Sequence, residues 1–136
     1  MAGSPNPGRR PVVAIINSAE ETAEVLQELL EEEGFAAVVA YVVDFKLGRQ
    51  DLKAFFAAHQ LQAVIYDIAL PYVENWAFFQ ERILGAGLLP PECFVLTTAN
   101  KSALDMLVGP TPTFELIGRP FDLEAILRAV RRVVTP

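Results

Sequence analysis

Five short apolar runs, each followed by a stretch of helical periodicity, constrain this chain more than any other feature. The runs are Pro11–Ile16, Ala36–Val43, the stretch opening at Ala63 and carrying Asp67, Cys93–Thr98 and Thr113–Ile117. Ala36–Val43 lacks polar alternation altogether, and the five together read as strands of the buried type, covered on both faces. Strand then helix, five times over, is the pattern of an α/β domain: a doubly wound parallel sheet with helices on both sides. In such sheets chemistry collects just outside the carboxyl ends of the strands.

The intervening segments carry their own start and stop signals. Ala19 to Glu33 places Ala19, Ala23, Leu26 and Leu30 at helical spacing, with Asn17 or Ser18 as N-cap, Glu20 and Glu21 at the positive end and Gly34 as C-cap. A loop is expected over Asp44–Gln50. Asp51 then opens a short helix whose Leu52, Phe55, Phe56 and His59 share one face. His59, the only histidine, reads as a half-buried packing residue, and no cysteine pair supports a metal site. Glu74 to Leu84 reads as a helix with Trp76, Ala77, Ile83 and Leu84 inward. Phe78 then falls opposite that face, either tucked under a loop or exposed as a contact aromatic, with packing favoured. Lys101–Val108 makes at most two turns before Gly109-Pro-Thr-Pro112. Asp122 caps a last helix, clearly amphipathic through Leu123, Ile126, Leu127, Val130 and Val134.

Composition removes several classes. At 136 residues, with 52% hydrophobic and 21% charged residues, one globular core is expected over residues 11–134, with residues 1–10 as a tail rich in Pro and Gly. The longest apolar run, Phe35 to Val43, falls far short of the roughly twenty residues a bilayer demands. No basic-then-apolar leader opens the chain, and Cys93 is the sole cysteine, so a cytoplasmic protein is expected. A net charge of −6 argues against a nucleic-acid surface, which needs clustered Lys and Arg. Arg128, Arg131 and Arg132 form the one local exception, read as a solvated helix face or as a docking patch for an acidic partner or a second copy.

The strand ends together present Asn17 and Ser18, then Asp67, then Thr98, then Arg119 before Pro120. With Tyr66-Asp67-Ile-Ala-Leu-Pro71, Leu96-Thr-Thr-Ala99 and Gly118-Arg-Pro-Phe-Asp122, this set resembles the receiver domain of two-component response regulators over residues 11 to 134. The resemblance implies a flavodoxin-like sheet of strand order 2-1-3-4-5. It also implies that Asp67 accepts a phosphoryl group from a histidine kinase, that Thr98 and Arg119 hold the phosphoryl oxygens, and that Asn17, Ser18 and Asp67 mark the Mg²⁺ site. The partners it implies are proteins: a kinase or other signalling protein, or a second copy in a homodimer.

The chain departs from that pattern at the metal. Where the family has two acidic residues, Asn17 and Ser18 stand, and the family's lysine is Arg119. A unit-charge pair at ~4 Å is worth roughly 4 kcal/mol at an effective dielectric of 20, and about double for a divalent ion, so Mg²⁺ binding is expected to be weak or absent. Glu20, at the start of the first helix, is the candidate substitute carboxylate. Arg119 can form a planar fork with Asp67 and hold the site in one state. The expected function is therefore a single-domain, atypical receiver: a protein-interaction module with impaired Mg²⁺-dependent phosphorylation, not an enzyme, without a cofactor and with no output domain after Pro136. A working phosphoacceptor is the alternative. A small flavodoxin-like enzyme or nucleotide binder ranks below both, because Asn17-Ser-Ala-Glu-Glu21 lacks the glycines and lysine of a phosphate loop.

Overall fold

A computed structural model of the chain describes residues 10–109, 115–118 and 122–134. Five parallel strands, β1 (Val12–Asn17), β2 (Ala36–Tyr41), β3 (Ala63–Ile68), β4 (Phe94–Thr98) and β5 (Glu115–Gly118), lie in the order 2-1-3-4-5, as the sequence suggests. The helices are α1 (Glu20–Glu32), α2 (Val42–Lys46), α3 (Leu52–His59), α4 (Tyr72–Phe78, running on through Ile83), α5 (Lys101–Val108) and α6 (Leu123–Val134).

The apolar strands are apolar because both of their faces are covered. Val13, Ile15, Ile65 and Val95 point toward α1 and α6, whereas Ala14, Ile16, Tyr66 and Leu96 point toward α2 to α5. Alternation along each strand thus splits one hydrophobic run between two cores. α1 ends as expected at Gly34. Its N–H reaches the Glu31 carbonyl and that of Phe35 the Leu30 carbonyl, a closure that needs the positive φ of 94° found at Gly34. Asp122 caps α6 through the Glu124 and Ala125 N–H groups, and Asp51 caps α3 through Ala54. His59 is half-buried with its ring edge-on to Phe55.

Several boundaries move, each for a local reason. β2 stops at Tyr41 instead of Val43, because Val42 and Phe45, three apart, wind into α2 and reach the core together. Pro91–Cys93 forms a tight 3-10 turn, so β4 begins at Phe94. Neither Asn17 nor Ser18 caps α1: the capping position is Ala19, and the Asn17 side chain stays with the turn before it. α4 starts two residues early, at Tyr72, directly after Pro71. From Phe79 to Ile83 it widens into a π turn. The wider turn brings Phe79, fully buried, inward together with Ile83 and leaves Phe78 half-buried at the edge. Part of the expected tail and the expected start of β5 at Thr113 lie outside the described residues.

Candidate functional site

Register places the polar residues at the carboxyl edge. β1 and β3 pair Ile15 with Ile65 and Ile16 with Tyr66, so Asn17 and Asp67 come next, side by side. β3 and β4 pair Asp67 with Thr97, and β4 and β5 pair Thr97 with Ile117. Asn17, Asp67 and Thr97 therefore form one row across three strands, with the parity of Ile15, Ile65 and Val95 on the α1 and α6 side. The Thr97 hydroxyl donates to Asp67 Oδ1 at 2.8 Å.

Thr98, the hydroxyl expected beside Asp67, has the opposite parity. It is buried, and its Oγ1 accepts from the Asn100 N–H at 3.4 Å in the loop leading into α5. The structure thus brings Thr97, not Thr98, onto Asp67. Strand alternation was the signal for this, since Asp67 and Thr97 lie opposite each other while Thr98 pairs with Ile68. Arg119 lies outside the described residues. Beside it, Gly118 leaves room for the Lys101 side chain; a Cβ there would stand 2.6 Å from Lys101 Cβ.

Asn17 is 1% exposed. Its Oδ1 accepts from the N–H groups of Ser18 at 2.8 Å and Ala19 at 2.9 Å, which fixes the amide's orientation, and its buried Nδ2 has no hydrogen-bond partner among the described residues. Ser18 is exposed. The loop after Asp67 is held from outside the row: Asn75, buried in α4, donates Nδ2 to the Ala69 carbonyl at 2.8 Å and takes Lys46 Nζ on its Oδ1. Tyr66, next to Asp67, is buried with an unpartnered hydroxyl; burial first, and the Asp67 carboxylate second, push its phenol well up, so it is neutral at physiological pH.

Mg²⁺ calls for a near-octahedral set of oxygens with one or two carboxylates. Here the row holds one carboxylate, partly used by Thr97. The Asn17 oxygen is occupied by two main-chain N–H groups and the Ala69 carbonyl by Asn75. The remaining side of the Asn17 amide is a donor, which repels a cation. These residues, as arranged, do not fit Mg²⁺.

Of the residues singled out in the sequence, Asn17 and Asp67 are brought together, Ser18 flanks them on the surface, and Thr98 stands aside. Thr97, Asn75 and Lys46 were missed. For the last two the sequence held no signal, since they sit 29 positions apart and meet only through the packing of α2 on α4. The arginines of α6 are engaged within the chain: Arg128 lies 4.0 Å from Asp122, and Arg131 pairs with Glu33.

No family model and no curated protein matches the sequence. Solved structures do match in fold. A structure described as a transiently phosphorylated "switch" in bacterial signal transduction superposes with a TM-score of 0.66 at 22% identity, covering 93% of this chain and 95% of that one. A sensor protein from Polaromonas sp. JS666 gives 0.64 at 19% identity over 93% and 97%. A response regulator receiver protein from Pseudomonas putida gives 0.60 at 18% identity over 91% and 98%. The chain has the fold of response regulator receiver domains over most of its length. Among the described residues no helix is long and apolar enough to cross a membrane.

Proposed function

We propose that this chain is an atypical receiver of two-component signalling, working in the cytoplasm as a protein-interaction module in which Mg²⁺-dependent phosphorylation of Asp67 is impaired. It is not an enzyme in this reading, and its partners are proteins: a histidine kinase or another signalling protein. The observation that carries the reading is the buried Asn17 amide beside Asp67, with its oxygen taken by main-chain N–H groups and its donor left over. Phosphoryl transfer proceeds mainly by positioning and by neutralising oxygen charge, and a divalent ion usually supplies most of that charge. Without it, Asp67 is a weak nucleophile.

A second reading keeps a working phosphoacceptor, favoured by the Thr97 hydroxyl 2.8 Å from Asp67. A carboxylate oxygen of Asp67 would attack phosphorus, and the donor's leaving group would depart with the bonding electron pair, leaving an acyl phosphate. Intact-mass measurement after incubation with a small phosphodonor separates the two. Our reading expects little adduct, and the same amount with Mg²⁺ as with a chelator. An adduct that forms fully and only with Mg²⁺ would establish the second reading instead.

A further inference from the structure

On the other side of the sheet, α2, the turn after it, the start of α3 and the π turn of α4 enclose an open cavity of about 440 Å³. Its floor is apolar, made by Phe45, Leu52, Phe78 and Ile83, while Lys53 and Arg82 stand at the rim. Phe78 is half-buried, with Lys46 Nζ 5.4 Å and the Arg82 guanidinium 5.5 Å from its ring centre.

The charges here run against those of the protein. Lys46, Arg49, Lys53 and Arg82 are four of eleven cations on a chain of net charge −6, gathered on one edge. Of the acids nearby, Asp44 faces Arg49 at 3.5 Å, and Asp51, which also lines the cavity, accepts from Ala54 as the cap of α3; Glu81 is exposed beside Arg82. Arg82 and Lys53 are exposed and make no ion pair among the described residues. An aromatic floor under uncommitted cations is complementary to an apolar group carried between carboxylates. The cavity volume is in the range that holds a large side chain or small ligand.

We infer that this cavity is a docking site for an acidic segment of a partner protein, which inserts one aromatic side chain over Phe78 while its carboxylates meet Lys53 and Arg82. The chain's own acidic helix, α1, is a poorer occupant. The only large apolar side chain fully presented among its glutamates is Val25, too small to fill the space. Asp67 does not line this cavity, so the inference does not rest on whether Asp67 is phosphorylated.

Calorimetry on the full chain tests it with three peptides: one with a central phenylalanine flanked by glutamates, one with lysines in place of the glutamates, and one with alanine in place of the phenylalanine. The first alone is expected to bind. Its affinity should fall on the order of tenfold in Arg82→Glu with Lys53→Glu, both surface positions, and also at high salt. The lysine peptide binding equally, no peptide binding, or binding unchanged in the charge-reversed variant would each overturn the proposal. So would sedimentation showing that the protein fills the site itself, by self-association at low salt that the same reversals abolish.

Discussion

The two edges of this molecule treat polar residues in opposite ways. At the carboxyl edge, Asn17, Asp67 and Thr97 are set in a strand register and largely satisfied by the chain itself, with Asn17 and Thr97 out of contact with water. At the α2–α4 edge, Lys46 and Arg82 stand on a half-buried aromatic, and Arg82 and nearby Lys53 make no ion pair among the described residues. The first arrangement is suited to holding one state. The second is suited to meeting something that arrives. A receiver fold with Asn17 and Ser18 at the end of β1, and with exposed cations at its far edge, suits the proposal that function rests on a standing surface.

Substitution at α4 should show this contrast most strongly. Phe79, fully buried between Tyr66, Trp76 and Phe94, and its exposed-edge neighbour Phe78 differ by one position and by everything else. Phe79→Ala is expected to cost about 3–5 kcal/mol in chemical denaturation, because it leaves a large cavity. Phe78→Ala should cost about 1 kcal/mol, since the ring gives up partial burial and two cation contacts. Similar costs for the two would mean that the π turn does not place them as described.

At the carboxyl edge the next largest effect belongs to Thr97. Thr97→Val removes a hydrogen bond to a carboxylate and should destabilise by about 1.5–3 kcal/mol. Thr98→Val, which loses only a long bond from Asn100, should cost about 0.5–1.5 kcal/mol. The reverse ranking would put Thr98 on Asp67 after all.

The smallest effect at neutral pH comes from Tyr66. Its buried hydroxyl has no partner, so Tyr66→Phe should be near neutral or slightly stabilising there. The difference emerges in alkali. In the unfolded chain the phenol ionises near 10.0, whereas in the fold it is held protonated, so stability is full below that pH and falls as pH rises beyond it. Denaturation midpoints of the wild type should drop above about pH 10, and those of the variant should drop less. Parallel curves would show that Tyr66 titrates freely in the fold.

How much of this was legible beforehand follows from which interactions are local. Runs of β-branched residues, the caps at Asp51 and Asp122 and the closure at Gly34 are set by neighbours in sequence, and they read correctly. So did the strand order, through the resemblance at Asp67 and its flanking motifs. α2 was hidden because Val42 and Val43 look like strand until Phe45 is seen to share the core with Val42, while Val43 turns outward. On α4, Trp76 and Ile83 face inward as expected and Phe78 packs at the edge, but Phe79 went unnoticed because a π turn breaks the 3.6-residue period there. At the site, the strand-end positions and the resemblance named Asn17 and Asp67, but choosing between two adjacent threonines required the register of β4 on β3. The hold of Lys46 on Asn75, and of Asn75 on the loop after Asp67, needed the packed fold.

If Asn17, Asp67 and Thr97, arranged as they are, do not fit Mg²⁺, a Mg²⁺ titration should leave the protein unchanged. Trp76 is the reporter: it is buried in α4 beside Asn75, whose amide holds the loop that follows Asp67. Wild-type emission should stay flat as Mg²⁺ rises into the millimolar range, while Asn17→Asp with Ser18→Asp, which returns two carboxylates to the edge, should give a saturable change. A saturable wild-type response that Asp67→Asn abolishes would contradict the claim.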